Sequence, residues 1–241
     1  MMTPGRALAA SLLLIVAGCD KAATPSTTTA DTAPAAGKNW AEVVEATPDG
    51  GFRMGNPDAK VKLLEFASLT CPHCKDFHAE ALDTIKSKYV ASGNVSYEFR
   101  NFVLNGPDFA ASLLARCQGP QPFFGLLNAF YKDQSDWTKG FVDMSPENQT
   151  RISALPQDKQ IAAMAEAAGL DGYVRARGIP RAKFDACLAD KAQTEKLTAM
   201  GTQATETYKL TGTPGFIING KTQEGVFTWA ALEPKLQEAL R

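Results

Sequence analysis

The stretch Val61-Lys62-Leu63-Leu64-Glu65-Phe66-Ala67-Ser68-Leu69-Thr70-Cys71-Pro72-His73-Cys74-Lys75-Asp76-Phe77 decides how the chain folds. Val61 to Ser68 carries apolar residues on both alternating faces, the pattern of a strand buried in the middle of a sheet. Beyond the two cysteines, Phe77, Ala81, Leu82, Ile85 and Tyr89 recur at helical spacing, which predicts a helix running to about residue 90. Pro72 suits the first turn of that helix, where its missing N–H costs nothing. Val95 to Phe102 predicts a second strand. A Cys-x-x-Cys motif at a strand-to-helix turn, with a further strand behind it, reads as a redox pair.

The placement has a direct electrostatic consequence. A helix N-terminus presents unpaired N–H groups and a positive dipole end, which stabilise a thiolate at Cys71. His73, inside the dithiol loop, is expected to add a donor or a charge toward the same sulfur. Cys74, one turn further in, is expected to be less exposed and to act as the resolving thiol. On residues alone, Cys71, Cys74 and His78 could instead be three zinc ligands, but a fourth at suitable spacing is missing.

Near the other end of the chain stands Thr211-Gly212-Thr213-Pro214-Gly215-Phe216, followed by an apolar run to Ile218 and the turn signal Asn219-Gly220. Cys71-Pro72-His73-Cys74 together with this segment resembles the DsbA-type thiol:disulfide oxidoreductases of the thioredoxin superfamily. Met54-Gly55-Asn56-Pro57 and a terminal helix carrying Trp229, Leu232, Leu236 and Leu240 fit the same resemblance, which covers about residues 40–241. It implies an α/β, thioredoxin-like fold with a large helical insertion. Residues 40–105 and 206–241 would form the thioredoxin-like part and 106–205 the insertion. It further implies that Glu65 is a buried acid beneath the Cys71–Cys74 redox disulfide and that Thr213-Pro214 is a cis-proline loop. Two details of the resemblance pull apart. The Pro72-His73 dipeptide matches strongly oxidising members, whereas Thr213 departs from their usual valine and resembles isomerases and reductases.

The hundred or so residues of the insertion have mostly helical patterning. Phe109, Leu113 and Cys117 fall on one stripe, Phe123 to Tyr131 on a second, Ile161 to Ala165 on a third, and Phe184, Cys187 and Leu188 on another. Tyr97, Phe99 and Trp137 are expected in the core, and none is assigned to substrate. Cys117 and Cys187 are either buried thiols acting as small hydrophobes or a structural disulfide, and export together with the resemblance favours the disulfide.

The first eighteen residues read as an address. Arg6 precedes an apolar run from Ala7 to Ala17, about half of what a spanning helix needs, so 1–18 is expected to be a signal peptide. Val16-Ala17-Gly18-Cys19 resembles a bacterial lipobox, with Cys19 as the lipidated residue and Asp20 suggesting the inner membrane. Residues 19–39, rich in Ala, Thr, Pro and Ser, are expected to be a disordered tether. The 241 residues carry 25 basic against 26 acidic side chains, so no electrostatic footprint for nucleic acid exists.

The expected activity is a periplasmic, membrane-tethered dithiol oxidase that needs no cofactor or metal and acts on reduced or unfolded exported proteins. A membrane redox partner would reoxidise it. A reductase or isomerase, or a thioredoxin-like module that binds without turnover, are the alternatives.

Overall fold

The computed structural model describes residues 39–241, so the expected signal peptide, the lipidated Cys19 and nearly all of the tether lie outside the described residues. Six strands form one sheet: β1 (Val44–Ala46), β2 (Phe52–Gly55), β3 (Val61–Ala67), β4 (Val95–Asn101), β5 (Gly215–Ile218) and β6 (Lys221–Thr222). Their order is β1-β2-β4-β3-β5-β6, and only β3 and β4 run parallel. The crossover between those two is α1 (Pro72–Thr84), whose last turn widens into a π-turn over Ile85–Val90. The expected helix is therefore right in extent, but it changes hydrogen-bond pattern at Ile85. The two central strands each end one residue earlier than their apolar patterns suggest, at Ala67 and Asn101.

Register explains why β3 reads as apolar on both faces. Leu63 and Glu65 lie opposite Tyr97 and Phe99 on one side and Ile218 and Phe216 on the other. Side chains at paired positions share a face, so these residues form one sheet surface. That surface packs on α1 and α3, with Phe77 against Phe216 at 4.6 Å and Phe99 against Phe123 at 5.7 Å between ring centroids. On the opposite surface Phe66 meets Tyr208 at 5.5 Å, and Arg100 bridges Glu98 and Asp49 while also donating to Gln203. Both surfaces of β3 are thus covered, as a central strand requires.

Turn chemistry closes the frame. Asn219 and Gly220 both take positive φ, 49° and 79°, which is the two-residue hairpin geometry their identities signal. Gly55 ends β2 at φ 108°, where a Cβ would stand 2.9 Å from Val90 Cγ1.

Between β4 and β5 lie α2 (Gly106–Arg116), α3 (Pro120–Lys132), α4 (Gln134–Val142), α5 (Pro146–Ser153), α6 (Gln157–Ala167), α7 (Leu170–Arg175), α8 (Arg181–Leu188) and α9 (Lys191–Glu206). The last helix, α10 (Trp229–Leu240), buries Leu232 and Leu236. Cys117, at the end of α2, is joined to Cys187 in α8 by a disulfide, with a Cα–Cα separation of 5.6 Å. The insertion is also tied to the sheet by Arg116, whose guanidinium donates to Asn101, Gln193 and the Gly50 carbonyl. No carboxylate meets it among the hydrogen bonds of the described residues, and burial lowers its pKa to about 10. Among the described residues no helix is long and apolar enough to cross a membrane.

Candidate active site

Cys71 is the N-cap of α1, with extended backbone (φ −77°, ψ 121°), and Pro72 follows it at the start of the helix. Cys71 and Cys74 are both free thiols, 6% and 0% exposed. The difference in exposure is smaller than the sequence leads one to expect. Their ionisation differs far more. Cys71 is brought from 9.0 down to about 5, chiefly by the hydrogen bond from the Cys74 thiol. Thr213 and the backbone N–H groups of Cys74 and His73 add to this, against an opposing push from burial. Cys74 goes the other way: burial drives its thiol well above the ordinary range, and the charges of Glu65 and Cys71 reinforce the effect.

His73 contributes to this balance through its backbone, while its side chain stands exposed on the rim of a groove beside Cys71. The peptide bond between Thr213 and Pro214 is cis, and the Thr213 carbonyl accepts from Cys71 Sγ at 3.4 Å. Thr213 Oγ1 is buried and makes no regular hydrogen bond. It is nevertheless close enough to help lower the Cys71 pKa.

Beneath the dithiol, Glu65 is 0% exposed. Its Oε2 accepts from the Tyr97 hydroxyl and lies 3.2 Å from His78 Nε2, while Oε1 has no partner. The His78 ring stacks on Tyr131 at 4.3 Å between centroids. His78 thus meets Glu65 and Tyr131, and no group of three His, Cys, Asp or Glu residues suited to a metal is found among the described residues. Burial raises Tyr97 and Tyr131 well above the usual phenol range, with Glu65 and Cys74 adding to both.

The loop that carries Cys71 is gripped by the insertion. Leu69 N–H donates to Asp108 at 2.9 Å, and the Leu69 and Cys71 carbonyls accept from Gln134 Nε2 at 2.8 and 3.0 Å. Tyr131 donates to the Ser68 carbonyl at 3.2 Å. Asp108 also accepts from Leu104 N–H, and its burial still raises its pKa to about 6. Sequence reasoning brings Glu65, Cys71, Cys74, Thr213 and Pro214 to one place, and the structure does the same. Sequence reasoning misses Tyr97 as a polar partner and Asp108 and Gln134 altogether, weighs His78 only as a zinc ligand, and reads Tyr131 only as part of an apolar stripe. Only His78 had a local signal, since it lies four residues after Cys74 and so on the same helix face.

Residues 47–238 match a family model described as thioredoxin. The chain belongs to this thioredoxin family. Among curated relatives, it is 29% identical over 171 residues to a Rickettsia bellii protein named "Putative protein-disulfide oxidoreductase". That match covers 71% of this chain and only 58% of the relative, so the chain spans somewhat over half the length of the curated proteins it resembles. Among solved structures, the protein-disulfide isomerase of Novosphingobium aromaticivorans is 32% identical, with a TM-score of 0.75. The alignment covers 83% of this chain and 100% of that one. Wolbachia pipientis alpha-DsbA1, 22% identical with a TM-score of 0.63 over 83% of this chain and 96% of its own, shares the fold. The fold is the DsbA type of the thioredoxin superfamily, a mixed sheet interrupted by a helical insertion.

Proposed function

We propose that the protein is an exported thiol:disulfide oxidoreductase that works as a dithiol oxidase through Cys71 and Cys74. One observation carries this reading: a single helical turn separates a thiol near pKa 5 from one pushed far above the ordinary range. A client thiolate attacks Cys71 Sγ of the Cys71–Cys74 disulfide, forming a client–Cys71 bond while the bond to Cys74 breaks. Cys74 leaves as a thiolate and takes up a proton, which its raised pKa favours. Glu65 is the proposed proton carrier, supported by its burial and its influence on Cys74. A second client thiolate then attacks the client sulfur and expels Cys71, a good leaving group because its thiolate is stabilised. The client gains a disulfide and the protein holds the dithiol.

Clients are proposed to be reduced exported proteins whose extended backbone pairs with the Thr213-Pro214 loop. Residues 1–18 are proposed as the export signal, and Cys19 as a lipid anchor holding the domain at the periplasmic face of the inner membrane, with a membrane redox partner for reoxidation. The test is equilibration against glutathione buffers, with the reduced fraction read by alkylation and mass. An oxidase pair is reduced more readily than glutathione disulfide, whereas a pair that stays oxidised in mildly reducing buffer defines a reductase. An isomerase is the second reading, favoured by the Thr213 hydroxyl beside Cys71 and by the 32% identity to the protein-disulfide isomerase of Novosphingobium aromaticivorans. It predicts that the reduced protein reactivates a scrambled client without added oxidant.

A further inference from the structure

Beside Cys71 the surface opens into a groove of about 550 Å³. One wall is α1, which presents Asp76 and Glu80, and the other is the 211–213 backbone. Phe227, 52% exposed, also lines the groove. The N–H groups of Thr211, Gly212 and Thr213 pair with no described backbone acceptor, so this wall is free to receive an added strand.

The two carboxylates are not explained by the helix that bears them. Asp76 and Glu80 lie beyond the first turn of α1, where the favourable effect of its dipole on an acid has faded. Neither forms an ion pair among the described residues, and both are exposed. Negative charge near Cys71 opposes the thiolate that the rest of the site stabilises, so they do not serve the nucleophile. Asp83 continues the row at helical spacing. Among the described residues His73 is the one titratable nitrogen lining the groove, and Lys75 faces a separate cavity shared with Lys132.

We propose that this groove selects extended client segments carrying Lys or Arg beside the reacting cysteine and an apolar side chain that reaches Phe227, with Asp76 and Glu80 setting the preference. The inference rests on the reading of Cys71 as the attacked sulfur and names the class of client it prefers. A basic neighbour serves twice. It is attracted by the paired carboxylates at groove range, and it lowers the pKa of the client thiol so that more thiolate is available to attack. The first effect belongs to the protein and the second to the peptide, which makes them separable.

Two short peptides, identical except for Lys or Glu on either side of a single cysteine, are compared by the initial rate at which each opens the oxidised pair. Rates are read by acid quench and mass. The Lys:Glu rate ratio in the wild type is expected to exceed that in Asp76→Asn/Glu80→Gln by about tenfold at low salt, and to collapse toward it at high salt. Asp76→Lys/Glu80→Lys should drive the ratio lower still. Using a ratio within each protein cancels any general effect of the substitutions on folding or on Cys71. An identical ratio in all three proteins would overturn the proposal while leaving the oxidoreductase reading intact. A wild type that neither peptide can open would sink that underlying reading, and this one with it.

Discussion

At Cys71 the hydrogen bond from the Cys74 thiol does most of the electrostatic work. The N–H groups of His73 and Cys74, the Cys74 thiol and Thr213 all favour the thiolate, and together they outweigh the cost of burial. The two cysteines should accordingly fail in different ways. Cys71→Ser is expected to abolish exchange, while Cys74→Ser should accumulate client mixed disulfides on Cys71, visible as mass adducts. Adducts on Cys74 in the Cys71→Ser variant at wild-type rates would contradict the assignment. Gln134 holds the carbonyls of Leu69 and Cys71 from the far side of the loop. Gln134→Leu leaves the Leu69 carbonyl unpaired and the Cys71 carbonyl with the Lys75 N–H alone, so it should cost about 1–3 kcal/mol of stability. It should also raise the Cys71 pKa, measured by thiolate absorbance across a pH titration. An unchanged titration would mean that Gln134 has no part in setting the nucleophile.

Among the elements, the insertion is more than a cover for the sheet. Asp108 of α2, Tyr131 of α3 and Gln134 of α4 all reach the loop that delivers Cys71, so displacement of these helices moves the reactive sulfur. The Cys117–Cys187 disulfide braces the same body, joining the end of α2 to α8 across a sequence separation of 70 residues. Closing a loop of that length stabilises by up to about 4 kcal/mol in the chain-entropy model. Changing both cysteines to Ala should therefore lower the melting temperature. Peptide oxidation should stay within a few-fold of wild type, because neither sulfur adjoins Cys71 or Cys74. Loss of exchange in a folded double variant would show that the second pair takes part in the redox chemistry.

For the whole molecule, the ionisation of Cys71 links redox state to folding. In the reduced protein its pKa falls from 9.0 in the unfolded chain to about 5 in the folded one, and in the oxidised protein the group does not titrate. A depressed folded pKa stabilises above the unfolded value and loses that benefit as pH falls through the folded value. The reduced form should thus be the more stable at pH 7, and its advantage should shrink as pH falls toward 5. Between pH 5 and 8 the slope is at most about 1.4 kcal/mol per pH unit. Chemical denaturation of both forms at several pH values measures it. An oxidised form that is the more stable across that range would place the protein among reductases.

Local sequence determined the frame and singled out the cysteine pair proposed to react. The doubly apolar run from Val61 to Ser68 reads as a central strand, Pro72 suits a helix's first turn, and Asn219-Gly220 signals a tight hairpin. These are constraints between neighbours in the chain, so they survive without knowledge of the fold. The pairing of Cys117 with Cys187 was legible only as a preference, because connectivity depends on where α2 and α8 meet. Tertiary structure alone decided what surrounds the sulfurs. Tyr97 reads as another core aromatic until β4 lies beside β3 and its hydroxyl finds Glu65, and nothing in the sequence sets Gln134 apart until α4 turns it onto the Cys71 loop. Their roles arise from contacts across 32 and 63 residues of chain, and no periodicity or spacing within either segment encodes a partner at that distance.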